Sequence, residues 1–117
     1  MSQYLLLLHE TPADSARITP AEMQEIIQRH QAWAADLAQK GQLLSGEKLT
    51  DDGGRHLRLA GGRPLASDGP YAEAHDVIGG FYLVQADNDL AAEAIAARCP
   101  HLEGRQWIEL RRIEVVG

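Results

Sequence analysis

The segment from Thr19 to Gly41 constrains the fold most, because it carries the signals for both ends of one long helix. Thr19-Pro20-Ala21-Glu22 places a threonine at the N-cap, a proline at the first helical position and a glutamate three residues after the cap. Both bonds of a capping box can therefore form, and Gly41 is the expected stop. One face of this predicted helix is apolar at the 3,4 spacing of a buried face. It comprises Met23, Ile26, Ile27, His30, Trp33, Ala34 and Leu37.

Strand signals surround this helix. Four consecutive leucines within residues 3–9 predict a central strand that is covered on both faces. Further strands are predicted over residues 42–49, 55–59, 80–86 and 106–116, the last with a bulge near Arg111-Arg112. Turn signals at 51–54 and 60–63 predict a hairpin.

A second, alanine-rich helix is predicted from the caps at 87–89 to about Arg98, stopped by Pro100. Its predicted apolar side is Leu90, Ala91, Ala94 and Ile95. The order strand, helix, strand, hairpin, strand, helix, strand is typical of a ferredoxin-like α+β sandwich. In that fold both helices lie on one face of an antiparallel sheet.

Size and charge limit the function classes. The 117 residues suit one domain over 1–117, and 44% apolar residues are ordinary for a globular protein. Seventeen acidic against eleven scattered basic residues disfavour nucleic-acid binding. No apolar run is long enough to cross a membrane, and no charged leader precedes the first strand. With one cysteine, the sequence predicts a cytoplasmic protein.

Titratable side chains are concentrated in an acidic corner, Asp68-Gly69-Pro70-Tyr71-Ala72-Glu73, which is followed by His75-Asp76. Glycine accepts a positive φ, proline fixes its own φ, and aspartate bonds nearby backbone amides, so this is a stiff turn. It also brings carboxylates and an imidazole beside an aromatic ring, which is more titratable chemistry than a connection needs.

The corner, together with Gly79-Gly80-Phe81-Tyr82-Leu83 and Ala96-Ala97-Arg98-Cys99-Pro100, resembles the DGPF-type branch of the YCII-related family over nearly the whole chain. Tyr71 stands where the branch name has phenylalanine. The resemblance implies a dimeric α/β barrel, in which two sheets pack face to face as a homodimer with a pocket near the interface. Trp107 and Tyr82 are the aromatic residues available for the uncovered sheet face.

His30 is the strongest catalytic candidate, because it shares the inward face of the first helix with Met23 and Leu37, seven residues away on either side. Its spacing to Gly41 is similar to that of a histidine proposed as an active-site group in YCII-type proteins. The aspartate that accompanies that histidine precedes the second helix's proline, where this chain has Cys99. Asp68 is the substitute carboxylate to test, and either Asp68 or Asp76 could orient His30. The structural alternatives are a core histidine for His30 and a turn-forming Asx residue for Asp68.

Five further side chains are candidate ligand-binding residues: His9, Trp33, Glu47, Tyr71 and His75. Tyr71 is either a pocket wall or a buried aromatic residue. The five histidines lack the close pairings typical of zinc sites, and no phosphate loop or dinucleotide fingerprint is present. We expect no metal and no organic cofactor. Cys99 ends a helix, where a thiolate is disfavoured, so it is expected to be structural.

Two classes of function fit these residues. The first is a small-molecule enzyme that uses His30 and Asp68 as an acid-base pair, and the resemblance places its pocket near the dimer interface. The second is a non-catalytic metabolite-binding or regulatory module, because the family is similar to proteins found beside or fused to extracytoplasmic sigma factors. The residues leave the substrate unidentified, and no membrane or nucleic-acid partner is expected.

Overall fold

The computed structural model describes residues 1–51, 54–68, 76–103 and 106–116, which form six strands, three α-helices and one 3₁₀ turn. The strands are β1 (Ser2–Glu10), β2 (Leu43–Lys48), β3 (Arg55–Ala60), β4 (Arg63–Asp68), β5 (Val77–Ala86) and β6 (Trp107–Arg112). The helices are α1 (Pro12–Ser15), α2 (Pro20–Gln39) and α3 (Asp89–Ala97), and the 3₁₀ turn is Pro100–Leu102. No helix in these ranges is long and apolar enough to cross a membrane.

Four strands form an antiparallel sheet in the order β2-β5-β1-β6, while β3 and β4 form a separate two-stranded hairpin. The two longest of the described strands, β1 and β5, therefore lie at the centre of the sheet. This α+β arrangement is consistent with the predicted ferredoxin-like fold. The turn at 60–63 joins β3 to β4. These two strands pair only with each other among the described strands, so the predicted hairpin lies outside the main sheet.

Helix α2 has the ends that its sequence predicts. The amide of Glu22 donates to Thr19 Oγ1 at 3.1 Å, and the amide of Thr19 donates to Glu22 Oε1 at 3.3 Å. The helix ends at the cap residue Lys40, and Gly41 follows with a φ of 69°. Only glycine adopts this left-handed conformation without strain, which explains why the helix stops there.

The core lies between one face of the sheet and helices α2 and α3. Along β1, Tyr4, Leu6 and Leu8 are buried while the residues between them are not, as a strand's two-residue alternation requires. Their partners in the core come from β5 and both helices: Val84, Ala86, Leu37, Ala92, Ile95 and Ala96. Both helices thus cover the same face, as the element order predicts.

The other sheet face has no helix over it among the described elements, and we call it the open face. Alternation and register place Leu5, Leu7, Phe81 and Leu83 at its centre, where each is half-buried. Trp107 lies at its margin, as predicted. Tyr82 does not, because it pairs with Leu6 and packs on the helix-covered face.

One local expectation is right only in part and one is wrong. On the predicted apolar side of α3, Ile95 is buried and Ala91 packs against the core, but Leu90 and Ala94 are exposed. Helix α3 buries Ala92, Ile95 and Ala96, while Leu90 is 75% exposed. The small alanines face the sheet because they let the helix approach it closely, which decides the helix's rotation. In β6 the pairing with β1 continues to Arg112 without a register shift, so the expected bulge is absent from the described strand.

Candidate functional site

A cavity of about 940 Å³ opens between α2, the segment around α1, and the ends of β2 and β5. Its size is in the range of small-molecule sites. The apolar wall consists of Leu8, Ile18, Met23, Ile26, Ile27 and Ala34. Among the polar groups that line it are His30, Tyr82, His101, Glu10, Arg17 and Ser15.

His30 reaches this cavity from the inward face of α2, as its spacing predicts. Its Nδ1 lies 2.8 Å from the hydroxyl of Tyr82 on β5, and the two rings are nearly parallel. Because Nδ1 has this partner, Nε2 is the nitrogen that a molecule in the cavity would meet. The side chain is half-buried, so the ring is fixed by the protein while one edge stays accessible.

Tyr82 is held in place by its neighbours. Its ring lies so close over Gly46 of β2 that a Cβ at that position would overlap the ring carbons. The edge of Trp33 meets the ring from the helix side, with centroids 4.8 Å apart. Burial raises the pKa of Tyr82 to about 12, so the phenol remains protonated and can serve His30 as a hydrogen-bond partner at any physiological pH.

The pKa of His30 lies below its ordinary value. Burial is the main cause, and the positive charges of His101 and Arg29 act in the same direction. The imidazole is therefore neutral at neutral pH, the form that can accept a proton.

His101 is a member of this site that the sequence did not single out. It lies in the 3₁₀ turn, 6.4 Å from the His30 ring between centroids, and its Nε2 donates to the backbone oxygen of His9 at 2.8 Å. Burial lowers its pKa. Its position directly after the predicted helix stop at Pro100 was the available signal.

Glu10 is a carboxylate of the described chain that shares the cavity with His30. It lines the cavity, and its carboxylate lies against Gly79, where even a Cβ would overlap it. Its charge raises the pKa of His101, against the effect of burial. Asp68 is the last residue of β4, but its side chain lies outside the described residues. The pairing of His30 with Asp68 therefore stays a prediction.

His9 lies on the open face, so the sheet separates its side chain from the cavity. Its ring stacks on Trp107 with centroids 3.9 Å apart, and its Nε2 lies 3.1 Å from Glu109 Oε1. Trp107 in turn donates to Asp76 at 3.2 Å. These contacts fix the His9 side chain on the open face. The backbone oxygen of His9 accepts the hydrogen bond from His101, which lies on the cavity side of the sheet.

The remaining candidates fall in three places. Trp33 packs behind Tyr82 and does not line the cavity. Glu47 borders the cavity, but its pairing with Phe81 directs its side chain toward the open face. Tyr71 and His75 lie outside the described residues. Cys99 is buried, and burial raises the pKa of its thiol to about 11.

Arg17 is the cation of the cavity wall that lacks a carboxylate partner within the described chain. The other cations there are paired, Arg29 with Glu103 at 3.2 Å and Lys48 with Asp51 at 3.0 Å. The hydroxyl oxygen of Ser15, two residues before Arg17, is buried without a hydrogen-bond partner in this structure. Across the described ranges, no group of three or more histidine, cysteine or carboxylate side chains could hold a metal ion.

In a comparison with protein families, the model described as the YCII-related domain matches residues 2–115. A comparison with curated proteins gives no match.

Proposed function

Since the chain belongs to the YCII-related domain family, we propose that it is a small-molecule enzyme that moves a proton in the cavity beneath α2 without an organic cofactor. The observation that supports this most is a neutral imidazole, His30, in the wall of a large cavity and oriented by a phenol. On the Asp68-Gly69-Pro70 corner we also assign the chain to the DGPF branch.

In this proposal His30 is the general base. When its Nδ1–H donates to the oxygen of Tyr82, the lone pair of Nε2 is free to take a proton from a molecule in the cavity. The protonated ring can then return that proton to another atom of the same molecule. The lowered pKa keeps the base free at neutral pH, where a histidine of ordinary pKa would be partly protonated.

Glu10 and His101 are the proposed supporting groups. Both line the cavity, and the Glu10 charge favours protonated His101. They are placed to bind the polar part of a substrate or to stabilise the charge that develops on it. Asp68 remains the alternative carboxylate, so both acidic residues belong in the test.

The cavity's lining suggests the class of ligand. Arg17 offers a cation, and isoleucine and methionine side chains contribute the apolar part of the wall. A small molecule with an apolar body and one carboxylate or similar anionic group would satisfy both. Arginine is suited to such a group because its guanidinium can bind both oxygens of a carboxylate.

Turnover of a panel of small apolar carboxylic acids, measured across pH, tests the proposal. His30→Gln should lower kcat/KM by about a hundredfold or more, and Arg17→Ala should mainly raise KM. His56→Gln, on the exposed hairpin, is the matched control and should behave as the parent. Glu10→Gln and Asp68→Asn then show which carboxylate matters. Turnover that survives in His30→Gln would show that the base is another group.

The second candidate is a non-catalytic metabolite-binding or regulatory module linked to sigma-factor signalling. One observation favours it: a phenol, not a carboxylate, holds His30 Nδ1, as suits a neutral hydrogen-bonding group. Calorimetry on the same acid panel separates the two functions. A ligand that binds the parent, binds Arg17→Ala more weakly and is never turned over would support the module.

We also propose that the chain is a cytoplasmic homodimer in which two open faces pack against each other. Leu5, Leu7, Phe81 and Leu83 support this, because a half-buried apolar sheet face without a helix over it needs a cover. The proposed dimer places the His9 and Trp107 cluster near the interface.

A further inference from the structure

The β3–β4 hairpin carries two of its three leucines on one face, which Arg55 shares, and the third, Leu65, on the other. Its turn residues Gly61 and Gly62 both have positive φ, 59° and 79°, which is the geometry of the tight turns that match a hairpin's twist. The pairing of Leu57 with Ala66 and of Leu59 with Pro64 places these four side chains on one face. The opposite face carries His56, Arg58, Arg63, Leu65 and Ser67.

The described part of the chain does not cover this apolar face. Leu57 is 68% exposed and Leu59 is 76% exposed, and every residue of β3 is exposed. A lone two-stranded hairpin is only marginally stable in water and needs packing on one face. Leu57 and Leu59 therefore form an exposed apolar pair that packing against another surface would bury.

We propose that the hairpin is a dimerisation arm, whose apolar face packs against a second copy of this chain beside the contact between the two open faces. The inference rests on the homodimer proposed above and adds the element that completes its interface. In a two-fold dimer each protomer gives one arm and receives one.

Area is the first argument for a second copy. Four strands about 4.8 Å apart and about 3.3 Å long per residue, with edge strands of six residues, give the open face a footprint of about 400 Å². A stable interface buries roughly 800 Å² on each partner. The hairpin has about half the footprint of the open face. Each protomer would bury its open face, its own hairpin and the surface that receives the partner's hairpin, which together reach roughly the required area.

Charge is the second argument. The hairpin contains three arginines and one aspartate, whereas the whole chain has a net charge of −6. A basic arm is attracted to the acidic body of an identical chain, with Arg55 on the leucine face and Arg58 and Arg63 on the opposite face. The same net charge disfavours nucleic acid or an anionic membrane as the occupant.

Sedimentation of the parent and of single variants over a concentration series tests the arm. Leu57→Glu and Leu59→Glu should each weaken the dimer by about tenfold or more, because a carboxylate would replace a buried leucine in the interface. Leu90→Glu is the matched control, since Leu90 is an equally exposed leucine on α3. Leu83→Glu tests the open face separately.

Hydrogen exchange on the parent gives a second readout that needs no variant. Outward-facing amides of β3 and β4 should be protected at concentrations where the dimer forms and should exchange faster on dilution. If the arm variants dimerise as the parent does while Leu83→Glu does not, the dimer stands and the arm inference is overturned. A parent that is monomeric with a protected hairpin shows that the arm folds onto its own sheet, which overturns both. Neither result alters the His30 turnover test.

Discussion

Tyr82 is the residue through which the hydrophobic core meets the cavity. One side of its ring lies on Gly46, its ring and that of Trp33 meet edge to face, and its hydroxyl holds His30. A core residue in such contacts moves little. The imidazole of His30 is therefore held in place by its hydrogen bond to a side chain that is fixed on the sheet. That is how a histidine on a half-exposed helix can be held in one orientation.

Replacing Gly46 by alanine should disturb this contact. The added methyl group would overlap the Tyr82 ring, and such overpacking typically lowers the free energy of unfolding by about 1–3 kcal/mol. Urea denaturation measures the change. Ser45→Ala, one position earlier on the exposed side of β2, should stay within about 0.5 kcal/mol of the parent. Equal effects of the two changes would show that Tyr82 does not pack on Gly46 as described.

Acid should destabilise the fold through His30 and His101. Both have pKa values below the ordinary value, so the unfolded chain binds protons at a higher pH than the folded chain. The free energy of unfolding is then fully present above about pH 6.5. It falls as the pH drops through the two folded-state pKa values, by at most about 1.4 kcal/mol per pH unit for each histidine.

Denaturant titrations between pH 7 and pH 5 check this. The slope should flatten in the His30→Asn and His101→Asn variants and should be unchanged in His56→Asn, whose side chain is exposed. An undiminished slope in the double variant would assign the acid sensitivity to carboxylates instead.

The inward position of His30 could be predicted from sequence, because a helix face repeats every seven residues. Its partner could not. Tyr82 is 52 residues away, and which strand residue meets a given helix position depends on the register of β1, β2 and β5. Glu10 and His101 were missed for the same reason, since each ends or follows an element and no periodicity points to it.

Helix α2 illustrates what an element's own sequence decides. Its capping box and its glycine stop are local, within three residues of each end, and both form. The rotation of α3 is not local. Leu90 and Ile95 are the two large apolar residues of that helix, yet α3 buries Ile95 together with Ala92 and Ala96 and leaves Leu90 exposed.

Thr19→Ala should lower the free energy of unfolding by about 1 kcal/mol, because the Glu22 amide would lose its cap. Thr11→Ala provides a matched control within the same chain. Thr11 caps the short helix α1 but makes no side-chain cap bond, so its replacement should have little effect. Chemical denaturation of the two variants separates these cases, and a larger loss in Thr11→Ala would contradict the capping assignment.

At the scale of the whole molecule, Cys99 reports on opening of the fold. Cys99 is 3% exposed, and burial raises the pKa of its thiol to about 11. A disulfide reagent should therefore label it about a hundredfold or more slowly than an exposed thiol. An exposed Ala38→Cys thiol in a Cys99→Ala background gives the reference rate, and urea should accelerate only the native cysteine. Similar rates without urea would show that α3 opens readily.

The element order was sufficient to predict the sheet, because few topologies join such a series without crossing connections. It could not show that the hairpin would stand apart. Alternating leucines give the same sequence pattern in a strand that packs on the protein's own core and in a strand whose leucines are exposed. Only the three-dimensional placement of Leu57 and Leu59 distinguishes the two.

The separate hairpin has a consequence for how such a chain can change over time. Strands β2 and β5 pair directly, and the Leu49 amide still bonds the oxygen of Gly79 beyond the last residue of β2. The sheet therefore closes whatever the intervening chain contains, and doubling the length of a flexible connection adds only about 0.6 kcal/mol of closure entropy. Insertions and deletions between these strands can change the hairpin while the cavity beneath α2 is retained.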